Sequence, residues 1–354
     1  MAIVFDSDAG TITGLSVGGL PDGIVDAGTL ATNSVDSAEL IDGAVDDSHM
    51  ASISGRKNWV LNGNLEIWQR GTSFTDVASN SFSADRWKMT YRPNGNINVA
   101  QVDNVIYKGL KYTNAYSSAQ TINVEQLIED VSKFSSKSFT LSFYAKANTA
   151  ITLTNIFYAN YGSGGSTQTN EGSTTHSVTT TRQQFTHTFT ATDMSGKTIG
   201  ANNYMRLYFE MPFASQNDWL EIDTVQLEVG STATDFEHKS YGEELALCQR
   251  YFERIAGAVN VAYSSGSATY ANQPRTVLFY KTQKRVVPTL SSSTASEFRF
   301  QFSNSVNTPS AISLASIGVD TAFLNASGIT ISADTPCTLI SNSSSSYLDF
   351  SSEL

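Results

Sequence analysis

Ser138-Phe-Thr-Leu-Ser-Phe-Tyr-Ala-Lys-Ala147 is the stretch that decides the fold. Phe139, Leu141, Phe143 and Ala145 alternate with Thr140, Ser142, Tyr144 and Lys146, the period of two expected of a strand with one buried face. Tyr204–Met211 repeats the pattern, with Met205, Leu207, Phe209 and Met211 set against Tyr204, Arg206, Tyr208 and Glu210. Further strand-like segments lie at Asn96–Val102, Gln120–Ile128, Ile151–Tyr158 and Gln183–Ala191. So many short strands, separated by turn signals between Trp59 and about Val229, predict an antiparallel two-sheet sandwich of jelly-roll type.

One strand breaks its own parity. Leu220 and Ile222 share a face, whereas Val225, Leu227 and Val229 take the other. Either a bulge intervenes near Asp223 or Asp223 points inward, and an inward carboxylate needs a partner such as a calcium ion. The segment Gly162–Thr175, GSGGSTQTNEGSTT, is polar throughout and is read as a loop at the sandwich edge, either a plain linker or a ligand contact.

Beyond the sandwich the period becomes helical. Ser240-Tyr-Gly-Glu243 is a capping box, and Leu245, Cys248, Phe252 and Ile255 line one face up to Gly257. Cys248 is therefore read as packing. Residues 258–354 return to Ser-rich alternation, with Pro288, Pro309 and Pro336 at strand boundaries.

The leading segment differs. Leu20, Leu30 and Leu40 mark one phase of a ten-residue repeat, and Val25, Val35 and Val45 mark a second, each Val followed by Asp. Gly23, Asn33 and Gly43 occupy the position where a left-handed backbone is least strained. Two apolar side chains per repeat cannot enclose a core within one chain, so the unit needs covering by other chains. The first 50 residues hold nine Asp or Glu and no Lys or Arg, supplying most of the formal net charge of -11. An acidic disordered leader has the same charge, but it has no use for a decapeptide phase.

Composition excludes several classes. No run of apolar residues is long enough to span a membrane, and the opening MAIVFDSDAG has neither the basic region nor the apolar core of a signal peptide. The two cysteines read as free thiols of a protein assembled in a reducing cytoplasm. With so acidic a balance and no basic cluster, nucleic acid is not expected as a partner. The four histidines, His49, His176, His187 and His238, form no metal-ligand pair, and no nucleophile elbow, phosphate loop or dinucleotide fingerprint occurs. Ser54-Gly-Arg-Lys57 fits S-x-x-K only formally. No catalytic residue is assigned, and the chain is not read as an enzyme. Trp59, Trp68, Trp87 and Trp219 are read mainly as core, leaving Tyr144, Tyr158, Tyr161, Tyr204 and Tyr208 as ligand-binding candidates able to stack on a sugar ring.

Several motifs carry a family resemblance. Val60-Leu-Asn-Gly-Asn-Leu-Glu-Ile-Trp-Gln-Arg-Gly71 with Ala84-Asp-Arg-Trp87 resembles the opening of jelly-roll modules in bacteriophage tail-fibre proteins. Gln126-Leu-Ile-Glu-Asp130, Leu141–Lys146 and Glu221–Glu228 continue it, and Phe236–Tyr251 is similar to the segment that follows such modules. The ending Leu348–Leu354 is similar to the "DAEL" termini of these fibres, departing from them at Phe350-Ser-Ser352. The resemblance implies a homotrimeric virion appendage, assembled in the host cytoplasm, tied to other virion proteins by its N-terminal segment. It also implies likeness to carbohydrate-binding modules, in which calcium often pins the sheet. Glu66 matches the acidic position of their opening motif and Asp223 that of their last strand.

The resulting expectation is an all-β chain: an extended repetitive shaft over 1–56, a jelly-roll sandwich over 57–239, a connecting helix over 240–257 and a C-terminal β domain over 258–354. Its expected role is a phage tail fibre whose sandwich adheres to a host-surface glycan. A head fibre or tail adaptor that binds only virion proteins, and a capsule polysaccharide hydrolase or its binding module, are the alternatives.

Overall fold

The computed structural model describes residues 4–6, 11–13, 57–91, 96–105, 107–303 and 305–354. Chain contacts divide it into two units, residues 1–55 and 56–354. In the first unit, β1 (Val4–Asp6) pairs antiparallel with β2 (Thr11–Thr13). The repeat positions Leu20, Val25, Leu30, Val35, Leu40 and Val45 lie outside the described residues.

The second unit opens with the sandwich. In chain order its strands are β3 (Ser73–Phe74), β4 (Ser81–Phe82), β5 (Lys88–Tyr91), β6 (Ile97–Asp103), β7 (Lys108–Asn114) and β8 (Gln120–Glu129). They continue with β9 (Ser138–Ala147), β10 (Ile151–Asn160), β11 (Thr169–Val178), β12 (Gln183–Thr190), β13 (Tyr204–Phe213) and β14 (Trp219–Val229). The first sheet has the order β11-β10-β13-β8-β5-β4 and the second β12-β9-β14-β7-β6-β3, all pairs antiparallel. This is the expected jelly roll. Its core lies between the sheets, where Leu153, Phe157, Leu207 and Phe209 from one meet Phe139, Leu141, Phe143 and Leu227 from the other.

The parity break is a bulge. The β14–β9 register shifts between Asp223 and Gln226, and Thr224 takes a left-handed φ of 53°. Leu220 and Ile222 before it, and Val225 and Leu227 after it, all enter the same core. The bulge's freed backbone is met by the opening motif: the Val225 amide donates to the Gly63 carbonyl (2.8 Å), and Asn58 Nδ2 donates to the Val225 carbonyl (2.9 Å). The neighbouring loop is similarly organised. The Leu61 amide donates to Gln126 Oε1 (2.7 Å), and Gln126 Nε2 donates back to the Leu61 carbonyl (2.8 Å). Buried amides need such partners.

Two expectations are corrected. The polar stretch after Gly162 is not all loop, because Thr169–Val178 forms the edge strand β11 on β10. An edge strand needs little apolar content of its own when the neighbour supplies Leu153 and Phe157; pairing overrides composition here. The helix is shorter than its periodicity suggested. Helix α1 spans Tyr241–Gln249 with the full Ser240–Glu243 capping box, and the chain then turns into β15 (Phe252–Ala256). Phe252–Ala256 instead pairs with the end of the chain, and that ladder outweighs a helical pattern only two turns longer. Nor is α1 a free spacer: Glu244, Cys248 and Gln249 are buried, and the Asn62 amide donates to the Glu244 carboxylate.

The remaining strands are β16 (Ala262–Tyr270), β17 (Gln273–Phe279), β18 (Thr289–Ser292), β19 (Phe298–Phe302) and β20 (Ser305–Asn307). After them come β21 (Ala311–Ile317), β22 (Thr321–Ser327), β23 (Pro336–Ser341) and β24 (Tyr347–Ser351). A three-stranded sheet, β15-β24-β18, accompanies a seven-stranded one, β20-β19-β23-β16-β17-β22-β21. Pro288, Pro309 and Pro336 all sit at or beside strand starts, where a missing amide donor matters least. Phe298, Phe300, Leu324, Leu339, Leu348 and Phe350 form their common core.

Candidate functional site

Strand β13 buries Met205, Leu207, Phe209 and Met211, so Tyr204, Arg206, Tyr208 and Glu210 must stand on the outer face of the first sheet. Pairing fixes what lies beside them. Tyr158 on β10 is opposite Arg206, while Glu125 and Asn123 on β8 are opposite Tyr208 and Glu210; Lys88 on β5 is opposite Glu125.

The result is a ring-and-charge cluster. The Tyr158 and Tyr208 rings meet edge to face with centroids 6.1 Å apart, and the Arg206 guanidinium lies 4.6 Å from the Tyr208 ring centre. Arg206 Nε also donates to Glu125, whose second oxygen lies 3.9 Å from Lys88 Nζ. Burial raises the Glu125 carboxyl above the usual carboxylate range, against the lowering influence of Arg206 and Lys88. Burial likewise raises the Tyr204 phenol and pushes Tyr208 up to about 12, so both hydroxyls stay protonated donors at neutral pH. Beside the cluster is a cavity of about 490 Å³ lined by Asn80, Thr90, Asn123, Glu125, Tyr204 and Arg206. Planar rings next to amide, hydroxyl and paired charged groups are what a polyhydroxylated ring needs, with stacking for its C–H face and hydrogen bonds for its edge.

The structure thus brings together Tyr158, Tyr204 and Tyr208 of the five tyrosine candidates. Tyr144 lies on the outer face of the opposite sheet, across from Asp223. Tyr161 is corrected: it is only 1% exposed, with its hydroxyl 3.0 Å from Thr169 Oγ1, because just beyond the end of β10 it continues the inward face of Leu153, Phe157 and Ala159. Sequence reasoning missed Arg206, Glu125, Asn123, Thr90 and Asn80. The parity of β13 contained the signal for Arg206, while the others become neighbours only through strand register.

The calcium reading finds no support among the described residues. Asp223 is held by Arg182, with Nε donating over 2.9 Å and Nη2 over 2.5 Å, and Thr224 Oγ1 adds a third bond. Glu66 is half-buried in the opening loop. Among the described residues no group of three or more His, Cys, Asp or Glu side chains is arranged to hold a metal ion. Of the tryptophans, Trp68 and Trp87 are buried and Trp59 packs on Phe134 and Phe139, whereas Trp219 lies on the outer face of the second sheet. Burial raises the Cys248 thiol well above its ordinary value, in keeping with a packing role. Among the described residues, no helix is long and apolar enough to cross a membrane.

No protein-family model matches the chain, and no curated protein matches it. Solved structures do. A cyclase from Fischerella sp. TAU, in complex with an indolyl butanone, aligns at 13% identity over 51% of this chain and all of its own, with a TM-score of 0.35. TmCBM61 in complex with beta-1,4-galactotriose aligns at 10% identity over 49% of this chain and all of its own, with a TM-score of 0.32. The enzymatically active domain of tailspike protein 4 from bacteriophage CBA120 aligns at 15% identity over 44% of this chain and 21% of its own, with a TM-score of 0.31.

Proposed function

We propose that this chain is an adhesive component of a bacteriophage tail fibre, binding a host-surface glycan without catalysis through the Tyr158–Tyr204–Tyr208 face. The observation that carries the reading is the gathering of three tyrosines, the Arg206–Glu125 pair and a polar cavity on one outer sheet face. A core-forming sheet has no need of such an arrangement on its solvent side. The fibre context rests on the motifs at Val60–Gly71, Phe236–Tyr251 and Leu348–Leu354, and the homotrimer and attachment to other virion proteins on the N-terminal repeat. Glu125 is committed to Arg206 and Lys88, a posture that suits a hydrogen-bond acceptor better than a proton donor. One shallow site binds sugar weakly, but several copies on one particle multiply apparent affinity by roughly 10²–10⁴.

The test is decoration of susceptible host cells by the fluorescently labelled full-length chain. Binding that falls sharply in Tyr208→Ala and Tyr158→Ala supports the proposal. Bare cells with the unaltered protein would favour a head fibre or adaptor that meets only virion proteins. A second reading draws on the raised Glu125 carboxyl, which a polysaccharide hydrolase could use as its acid. Release of reducing ends from host polysaccharide, abolished by Glu125→Gln, would establish that reading instead.

A further inference from the structure

The outer face of the second sheet carries a different cluster. Strand β14 turns Trp219, Glu221 and Asp223 outward; β9 contributes Tyr144 and Lys146, and β7 contributes Lys111. One end of the cluster is closed. Arg182 lies 3.8 Å from the Tyr144 ring centre and 4.5 Å from that of Tyr107, and its fork is spent on Asp223.

The other end is not. Lys111 Nζ lies 4.1 Å and Lys146 Nζ 5.8 Å from the Trp219 ring centre, and both ammonium groups turn to one carboxylate, Glu221, at 3.8 and 3.0 Å. Two cations share one anion, which leaves a net positive charge in a chain whose formal charge is -11. The carboxylate is nearly buried while the lysine side chains are 32% and 27% exposed, so the surplus charge faces solvent. Lys111 is a flexible stem resting on an indole and can swing aside, whereas Arg182 is locked.

We propose that Trp219, Lys111 and Lys146 form a second carbohydrate site, selective for acidic pyranoses. The sugar's apolar face takes the indole surface that Lys111 now covers, and its carboxylate bridges the two ammonium groups. A neutral sugar would have to displace Lys111 without replacing the contact that it loses. A simple anion would gain the charge but not the stacking. This site shares no residue with the Tyr208 face, so the two readings fail independently.

The experiment is calorimetric titration of the full-length protein with trigalacturonate and sialyllactose, against the uncharged galactotriose and lactose. The acidic sugars are expected to bind at least about tenfold more tightly than their neutral counterparts, and less tightly as salt rises. Trp219→Ala and Lys111→Gln, both surface changes, should each weaken acidic-sugar binding about tenfold or more, and Tyr208→Ala should leave it unchanged. Absence of acidic-sugar binding overturns the proposal. So does equal affinity for neutral sugars, or binding that survives Trp219→Ala but not Tyr208→Ala.

Discussion

The carboxylate of Glu353, the penultimate residue, is bound by the Arg86 guanidinium of the sandwich's opening motif. Arg70 Nη2 approaches the same carboxylate at 3.2 Å, and all three side chains are largely buried. Arg86 further donates to the Leu127 carbonyl (2.6 Å) and stacks 3.6 Å from the Tyr251 ring centre, while Arg70 lies 3.4 Å from that of Phe252. The Leu348–Leu354 segment therefore closes on the opening of the sandwich, and the motifs at Val60–Gly71, Ala84–Trp87, Phe236–Tyr251 and Leu348–Leu354 share one junction.

Glu353→Gln should consequently destabilise the protein out of proportion to its position at a terminus. It leaves Arg86 buried without its anion, while Arg70 keeps Asp85 at 3.6 Å; breaking a buried pair in this way removes about 3–5 kcal/mol. Urea denaturation would show this as a lower midpoint. A change of only a few tenths of a kcal/mol would mean that the latch is solvated.

A second prediction concerns the bulge. A Cβ on Gly63 would lie 2.1 Å from the Val225 carbonyl oxygen, a rigid backbone atom, so the opening loop would have to lift from β14. Gly63→Ala is expected to remove roughly 1–3 kcal/mol, as overpacking does, with the denaturant slope unchanged. A neutral substitution would show that the loop is free to shift.

Two buried histidines should make the sandwich sensitive to acid before most carboxylates titrate. Asn155 is buried between two histidines, 2.6 Å from His176 Nε2 and 2.8 Å from His187 Nδ1. Burial, reinforced by His187, lowers His176 from 6.5 to about 4, and burial also lowers His187. The unfolded chain therefore takes up protons first as pH falls through 6.5, and stability drops until about pH 4, where the native His176 titrates as well. Each such group contributes at most about 1.4 kcal/mol per pH unit in that window. Asp85 works the other way. Burial raises it from 3.8 to about 6, so the native state holds its proton over nearly the same window. Glu125, also raised by burial, acts in the same direction as Asp85, so the histidine contribution is read as a difference between variants. Between pH 7 and pH 4 the unaltered protein should lose more stability, or gain less, than His176→Gln. Parallel melting profiles for the two proteins would contradict the assignment.

Much of this was legible in the sequence, for identifiable reasons. Strict alternation in Ser138–Ala147 and Tyr204–Met211 fixes which side chains meet the core, because a strand has only two faces. The broken parity at Asp223 left a bulge or an inward carboxylate open, and Ser240–Glu243 announced the helix start. What was hidden depends on distant pairing. Thr169–Val178 has the composition of a loop and becomes a strand because β10 holds it, and Phe252–Ala256 leaves the helix because β24 is waiting. The candidate site shows the same division: Tyr204 and Tyr208 could be placed from β13 alone. Glu125 belongs beside them only once β8 is in register, whereas Tyr161 could have been placed inward from the alternation that buries Leu153, Phe157 and Ala159 and exposes Tyr158.

The last prediction separates recognition from support at that site. Tyr208 presents its ring on the outer face, so Tyr208→Ala should weaken glycan binding about tenfold, the worth of one lost stacking contact, without shifting the melting temperature much. Arg206 has a second task. It is the nearer partner of the Glu125 carboxylate, which is only 4% exposed, and its removal leaves that group with the more distant Lys88. Arg206→Ala should therefore lower both binding and stability, and should raise the Glu125 carboxyl further. The double change Arg206→Ala with Glu125→Gln removes the stranded charge and should regain stability while binding stays weak. Measured together by calorimetry and thermal melting, regained stability without regained binding would mark Arg206 as a ligand contact. Recovery of both would mean that it acts only by holding Glu125 in place.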